Sequence, residues 1–352
     1  MKLKLTPRQQ VERALYGQDV DKIPFTVYAN KLPRSLVERE LRNMGLCVIE
    51  KSLDVLRVKR PDVKVLATQY VENGISYIRT DYDTPIGSLS EIWQEAGFTR
   101  WCTKRLFAGP DDYKKLFFIV DNERYEPDYK PFLNAQRQTG GDVFFRAAVG
   151  PEPLQAVIGW MGIERFGLEW MEHRDEVLKV YEALVSAARR RYSLLADSPA
   201  LAFNYGGNVV AELISPRVFE QYYLPNYDEA AEKLHKTGKL IGSHFDGNCK
   251  AFAGLIHQSQ LDYIEAFTPA PDTDMTLSEA ILAWPDKCLW INFPSSVHLA
   301  PTEEIRNITR QILDTAAGHS RFLIGITENV PPDRWQQNFR TIAKTIDEYY
   351  RR

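Results

Sequence analysis

From Val143 onward the chain alternates short apolar runs with amphipathic stretches, a rhythm that restricts it to parallel βα units. The runs at 144–149, 200–205, 239–245, 262–267, 288–293 and 322–327 read as strands, and 23–29 reads as another. Helix starts lie between them: Ser215-Pro216, the capping box Thr276-Leu277-Ser278-Glu279, and Thr302-Glu303-Glu304, which opens a helix with Ile305, Ile308, Ile312 and Leu313 on its apolar side. An eighth strand hidden before residue 140 would close a barrel. The predicted fold is α/β, a (β/α)8 TIM barrel forming one domain over 1–352. An open doubly wound sheet needs a switch point and a glycine-rich phosphate turn, and neither Gly206-Gly207 nor Gly140-Gly141 fits such a turn.

The N-terminal part has a different texture. Thr6-Pro7-Arg8-Gln9 combines an N-cap hydroxyl, a proline and a back-bonding glutamine, which predicts a helix ending near Gly17. Residues 58–104 hold short β-rich runs around the hairpin turn Asn73-Gly74 and read as a β-rich insertion covering the barrel. With 44 Lys+Arg against 47 Asp+Glu the net charge is -3, and no long basic tract occurs, so a nucleic-acid surface is not expected. The four cysteines, Cys47, Cys102, Cys249 and Cys288, form no C-x-x-C pair and fit a reducing compartment. Neither a signal-like segment nor an apolar span of membrane length is seen, so the expected location is cytoplasmic, with no membrane partner.

Strand ends of a parallel barrel converge on one mouth, and three of them carry ligand-type side chains. His244 and Asp246 lie two apart and share a face of one strand end, before Gly247. Glu265 stands near the end of the next strand, before Thr268-Pro269, and Glu328 closes the last. A histidine and carboxylates suit zinc with a position left open for substrate. The same residues also suit ordinary hydrogen-bonded structure, and spacing alone leaves both readings standing.

Longer segments narrow the choice. Leu5-Thr6-Pro7-Arg8-Gln9-Gln10-Val11-Glu12-Arg13-Ala14-Leu15-Tyr16-Gly17 through Asp21-Lys22-Ile23-Pro24 resembles the start of the uroporphyrinogen decarboxylase superfamily, whose members are (β/α)8 barrels. Ile214-Ser215-Pro216-Arg217-Val218-Phe219-Glu220, Pro225, Gly238-Lys239, His244-Phe245-Asp246-Gly247 and Glu328 to Pro332 resemble it too. True decarboxylases share an arginine-rich loop after the first strand that binds substrate carboxylates. Here that place reads Tyr28-Ala29-Asn30-Lys31-Leu32-Pro33-Arg34, with few cations. The methyltransferase branch commonly binds zinc through a His-x-Cys pair and a distant cysteine. His244 matches its histidine, while Asp246 and Glu328 stand where sulfur is usual. Oxygen donors make a harder site, better suited to polarising a substrate oxygen than to activating a thiol.

The resemblance therefore implies an O-demethylase-like methyltransferase. It would move the methyl group of a small aryl methyl ether to the Co(I) of a separate corrinoid protein, with zinc easing departure of a phenolate whose conjugate acid has a pKa near ~10. The implied zinc ligands are His244, Glu265 and Glu328, with Asp246 a fourth ligand or a group orienting the histidine; His244, Asp246 and Glu328 are the implied catalytic set. An aromatic substrate needs an apolar slot with few polar anchors. Tyr205, Phe267, Trp290 and Phe293 are candidates for its walls, and Asn204 and Asn208 are either anchors or plain turn residues. His298 can face the mouth, whereas Cys249 reads as a buried structural thiol. Two further readings are a metal-free decarboxylase-like enzyme and a non-catalytic barrel with a binding or regulatory role.

Overall fold

The computed structural model describes residues 5–97 and 99–351. They divide into two compact units, one built from residues up to Val55, Asp128–Gly150 and Leu195 onward, the other from Leu56–Pro127 and Pro151–Leu194.

The first unit is a closed barrel of eight parallel strands in sequence order: β1 (Phe25–Tyr28), β2 (Cys47–Glu50), β3 (Val143–Gly150), β4 (Ala202–Tyr205), β5 (Leu240–His244), β6 (Tyr263–Phe267), β7 (Cys288–Asn292) and β8 (Phe322–Ile326). The strand expected before residue 140 is β2, Cys-Val-Ile-Glu, too short to carry a period of its own. Helices follow where their starts were read. Thr6 caps Pro7–Leu15 and Thr276 caps Leu277–Ala283, each in a complete capping box, while Ser215 accepts the Val218 N–H at the start of Pro216–Tyr222. Thr302–Thr315 forms without a side-chain cap and buries Ile305, Ile312 and Leu313.

Alternation along the strands fills the barrel. Tyr28, Cys47, Ile49, Phe144, Ala202, Tyr263, Trp290 and Leu323 belong to one buried cluster. The Trp290 Nε1–H donates to Thr26 Oγ1 at 2.9 Å, and its ring meets Phe144 edge-on at 6.2 Å. Gly242 makes room for this packing, since a Cβ there would stand 2.3 Å from the Tyr263 ring.

The second unit carries the β-rich insertion. Lys64–Glu72, Ile75–Thr84, Gly87–Ala96 and Thr99–Lys104 form a four-stranded antiparallel sheet. Its first hairpin turns at Asn73 and Gly74, with φ of 50° and 78°, as a two-residue turn requires. Leu89 at the base of the sheet joins Leu106, Tyr113, Leu116, Val157 and Val177 in the core of this unit. No helix among the described residues is long and apolar enough to cross a membrane.

Candidate active site

The site grows from the parity of the strands. Tyr28, Asn204, His244 and Glu265 occupy inward positions at or near the carboxyl ends of β1, β4, β5 and β6, Arg146 occupies one in the middle of β3, and His244 and Glu265 are paired in register on neighbouring strands. Glu265 is fully buried and Arg146 nearly so. A buried carboxylate and guanidinium persist only when paired. Glu265 Oε1 lies 3.0 Å from Arg146 Nη1 and accepts the Tyr28 hydroxyl, while Oε2 faces His244 Nδ1 at 2.6 Å and Asn204 Nδ2 at 3.4 Å. Burial opposes ionisation of Glu265, but Arg146, His244 and Tyr28 more than offset it and hold the carboxyl far below the usual range.

That arrangement leaves the other side of the histidine ring to the mouth. With Nδ1 committed to Glu265, Nε2 points toward Asp246 Oδ2 at 3.2 Å. His244, Asp246 and Glu328 each offer one ligand atom, all within 4.8 Å of one another. Burial lowers the affinity of the His244 imidazole for a proton, yet Glu265 and Asp246 raise its pKa to about 10. Without a metal the ring is therefore a cation between carboxylates, and a divalent cation would compete with that proton. Gly207 is needed beside it: a Cβ there would come within 2.6 Å of His244 Cβ, and φ is +145°.

The structure brings together His244, Asp246 and Glu328 and places Glu265 behind them. Glu265, expected as a ligand, lies outside that group, with its oxygens turned to Tyr28, Arg146, Asn204 and the imidazole. The aromatic slot also needs correction. Tyr205 packs on Tyr227 at 5.7 Å, Phe267 on Trp284 at 5.5 Å and Phe293 on His298 at 5.2 Å, all on the helix side of the strands. Phe267 would share the face of Glu265 in a regular strand, but Ala266 has φ 59° and the register slips there, so Phe267 pairs with Ile291 instead. Trp290 points inward but is fully buried within the barrel core.

Asn204 and Asn208 diverge. Asn204 is buried with its Oδ1 unpartnered among the described residues, whereas Asn208 is exposed in a left-handed turn (φ 61°) and bonds through its N–H to the His244 carbonyl at 3.3 Å. His298 is buried in the turn Ser295–Leu299 beside Asn338 and takes no place at the mouth. Cys249 is buried, which pushes its thiol up to about 12. Two functional candidates escaped the sequence reading. Arg146 carried a signal, since a charge inside Val-Phe-Phe-Arg-Ala-Ala-Val demands a buried partner. Lys51 carried none beyond its position just past β2.

The family pattern described as uroporphyrinogen decarboxylase (URO-D) matches residues 157–349. The chain belongs to the uroporphyrinogen decarboxylase family. No curated protein sequence matches it. A solved methyltransferase from Methanosarcina mazei is similar over 98% of this chain and 99% of that one, with a TM-score of 0.60 and 12% identity, a likeness of fold. Two weaker likenesses are to glycoside-processing proteins. The tandem GH20 modules of a pneumococcal exo-β-D-N-acetylglucosaminidase cover 92% of this family member and 84% of that chain, at TM-score 0.39 and 10% identity. A GH18 chitinase from Flavobacterium johnsoniae covers 68% and 92%, at 0.34 and 11%.

Proposed function

We propose that this family member is a zinc-dependent methyltransferase that takes the methyl group from a methoxylated aromatic compound and passes it to the Co(I) of a separate corrinoid protein. The observation that carries the reading is the division of labour at His244: Nδ1 is fixed by the buried Glu265, and Nε2 converges with Asp246 and Glu328. A carboxylate behind a histidine is the usual way proteins fix the tautomer and orientation of a metal ligand. One nitrogen and two carboxylate oxygens suit zinc, so His244, Asp246 and Glu328 would hold it. Bound there, zinc would draw electron density from the ether oxygen as the methyl group leaves.

The rest falls to the chain's own side chains. Glu265 holds the imidazole ring, and Arg146 and Tyr28 hold Glu265. Asn204 offers its free Oδ1 as an acceptor to a polar substituent of the aromatic ring. The absence of thiolate donors favours an oxygen leaving group over a thiol nucleophile. A metal-free decarboxylase-like reading draws on Arg146, but the charge of that residue is already matched by Glu265.

The test is elemental analysis of protein purified without chelator or histidine tag, for wild type, His244→Ala and Glu328→Ala. Near-stoichiometric zinc in the wild type alone is expected, followed by demethylation of methoxyarenes with a corrinoid acceptor. A wild type that neither carries nor takes up zinc sinks the reading and moves the decarboxylase-like and non-catalytic alternatives ahead.

A further inference from the structure

Lys51 is the charged residue of the mouth that the preceding account leaves without a task. It follows β2 on the parity of Cys47 and Ile49, which point into the barrel, so its side chain rises from the inner face at the carboxyl end. Its Nζ stands 3.6 Å from the centroid of the Tyr28 ring, and the hydroxyl of that ring is bonded to Glu265. No carboxylate of the described residues forms an ion pair with it. The ammonium rests on the negative face of an aromatic ring, a contact that holds a cation without neutralising it.

The groups around it set its acidity. Withdrawal from water lowers the ammonium pKa, Arg146 and Lys31 lower it further, and Glu265 and Glu328 act in the opposite sense; the outcome is about 8. A phenol loses its proton near ~10, so such an ammonium gives a proton to a phenolate downhill. Part of the side chain stays open to solvent, from which the amine can be reprotonated.

We propose that Lys51 is the general acid that protonates the departing phenolate. The role rests on the methyl-ether reading above and deepens it. The C–O bond of the ether breaks with its electron pair on oxygen. The methyl carbon bonds to the Co(I) of the partner corrinoid, whose electron pair forms the new bond and raises cobalt formally to Co(III). The Lys51 ammonium gives one proton to the oxygen, leaving a neutral phenol and a neutral amine.

Lys51→Met and Lys51→Arg separate the proton from the charge, since arginine keeps a cation but does not release its proton. With methyl ethers of graded leaving-group basicity, Lys51→Met should lower the rate on an unactivated ether about 100-fold. A nitro-substituted ether, whose phenolate leaves unprotonated, should change less than about 3-fold. A second readout needs no turnover: absorption titration with 4-nitrophenol, whose ionised form is coloured. The wild type and Lys51→Arg should prefer the ionised probe, and Lys51→Met should lose that preference. Equal losses on both ethers, full activity of Lys51→Arg on the unactivated ether, or unchanged preference in Lys51→Met overturns the role while leaving the parent reading standing. A zinc-loaded wild type that demethylates no aryl ether overturns both.

Discussion

Arg146 and Glu265 form a buried pair whose worth lies in its completeness. Removing one partner strands the other charge in the barrel, which costs about 3–5 kcal/mol, whereas removing both costs less than the sum. Urea unfolding of Arg146→Met, Glu265→Gln and the double variant should show that non-additivity; simple addition would mean the two charges do not depend on each other. Glu265→Gln should also weaken zinc binding about 10–100-fold, because the imidazole loses its anionic brace. His298 gives a different signature. Burial lowers its pKa to about 4, with Asp272 opposing, so the folded protein keeps the ring neutral while the unfolded chain takes up a proton near ~6.5. Between those values the unfolded state binds more protons, so stability rises with pH and is lost as pH falls. From pH 7 to pH 5 this group alone should cost about 2 kcal/mol, a loss absent from His298→Phe if the variant folds, as unfolding curves at the two pH values would show.

The elements were legible to different depths, for reasons that are physical. Seven strands announced themselves through apolar runs, and capping residues marked three helix starts. β2 has four residues and borrows its identity from pairing with β1 and β3, which local sequence does not display. The site was legible as far as His244, Asp246 and Glu328, whose strand-end positions follow from the barrel. Glu265 was found, but its partners Tyr28, Arg146 and Asn204 come from β1, β3 and β4 and were not. Phe267 was lost to one residue: Ala266 in a left-handed conformation reverses the face that alternation gives to its successor. Glycine at 242 tests how tightly β5 and β6 depend on each other. A methyl group there would meet the Tyr263 ring at 2.3 Å and the Tyr263 carbonyl oxygen at 2.5 Å. Gly242→Ala should therefore cost about 1–3 kcal/mol in denaturant unfolding, and a neutral result would mean that the barrel can open locally beside His244.

At the scale of the molecule, the proposed metal site ties β5 to β8 through His244, Asp246 and Glu328, so binding and stability are linked in the barrel unit. A ligand taken up only by the folded state stabilises it by RT ln(1 + [L]/Kd), about 2.7 kcal/mol at a free concentration a hundredfold above Kd. For a barrel of this size each kcal/mol moves the melting temperature by roughly 2–4 °C. Chelator-treated wild type should therefore melt about 5–10 °C higher when zinc is restored, with the shift growing logarithmically with free zinc. Acid should weaken the response, because the metal must displace the proton that the His244 ring holds. His244→Ala and Glu328→Ala should show almost none of the shift, while Asp246→Asn should keep part of it through its remaining oxygen. Equal shifts in wild type and all three variants would place the binding elsewhere on the chain, and would separate the fold of the family from the chemistry proposed for this member of it.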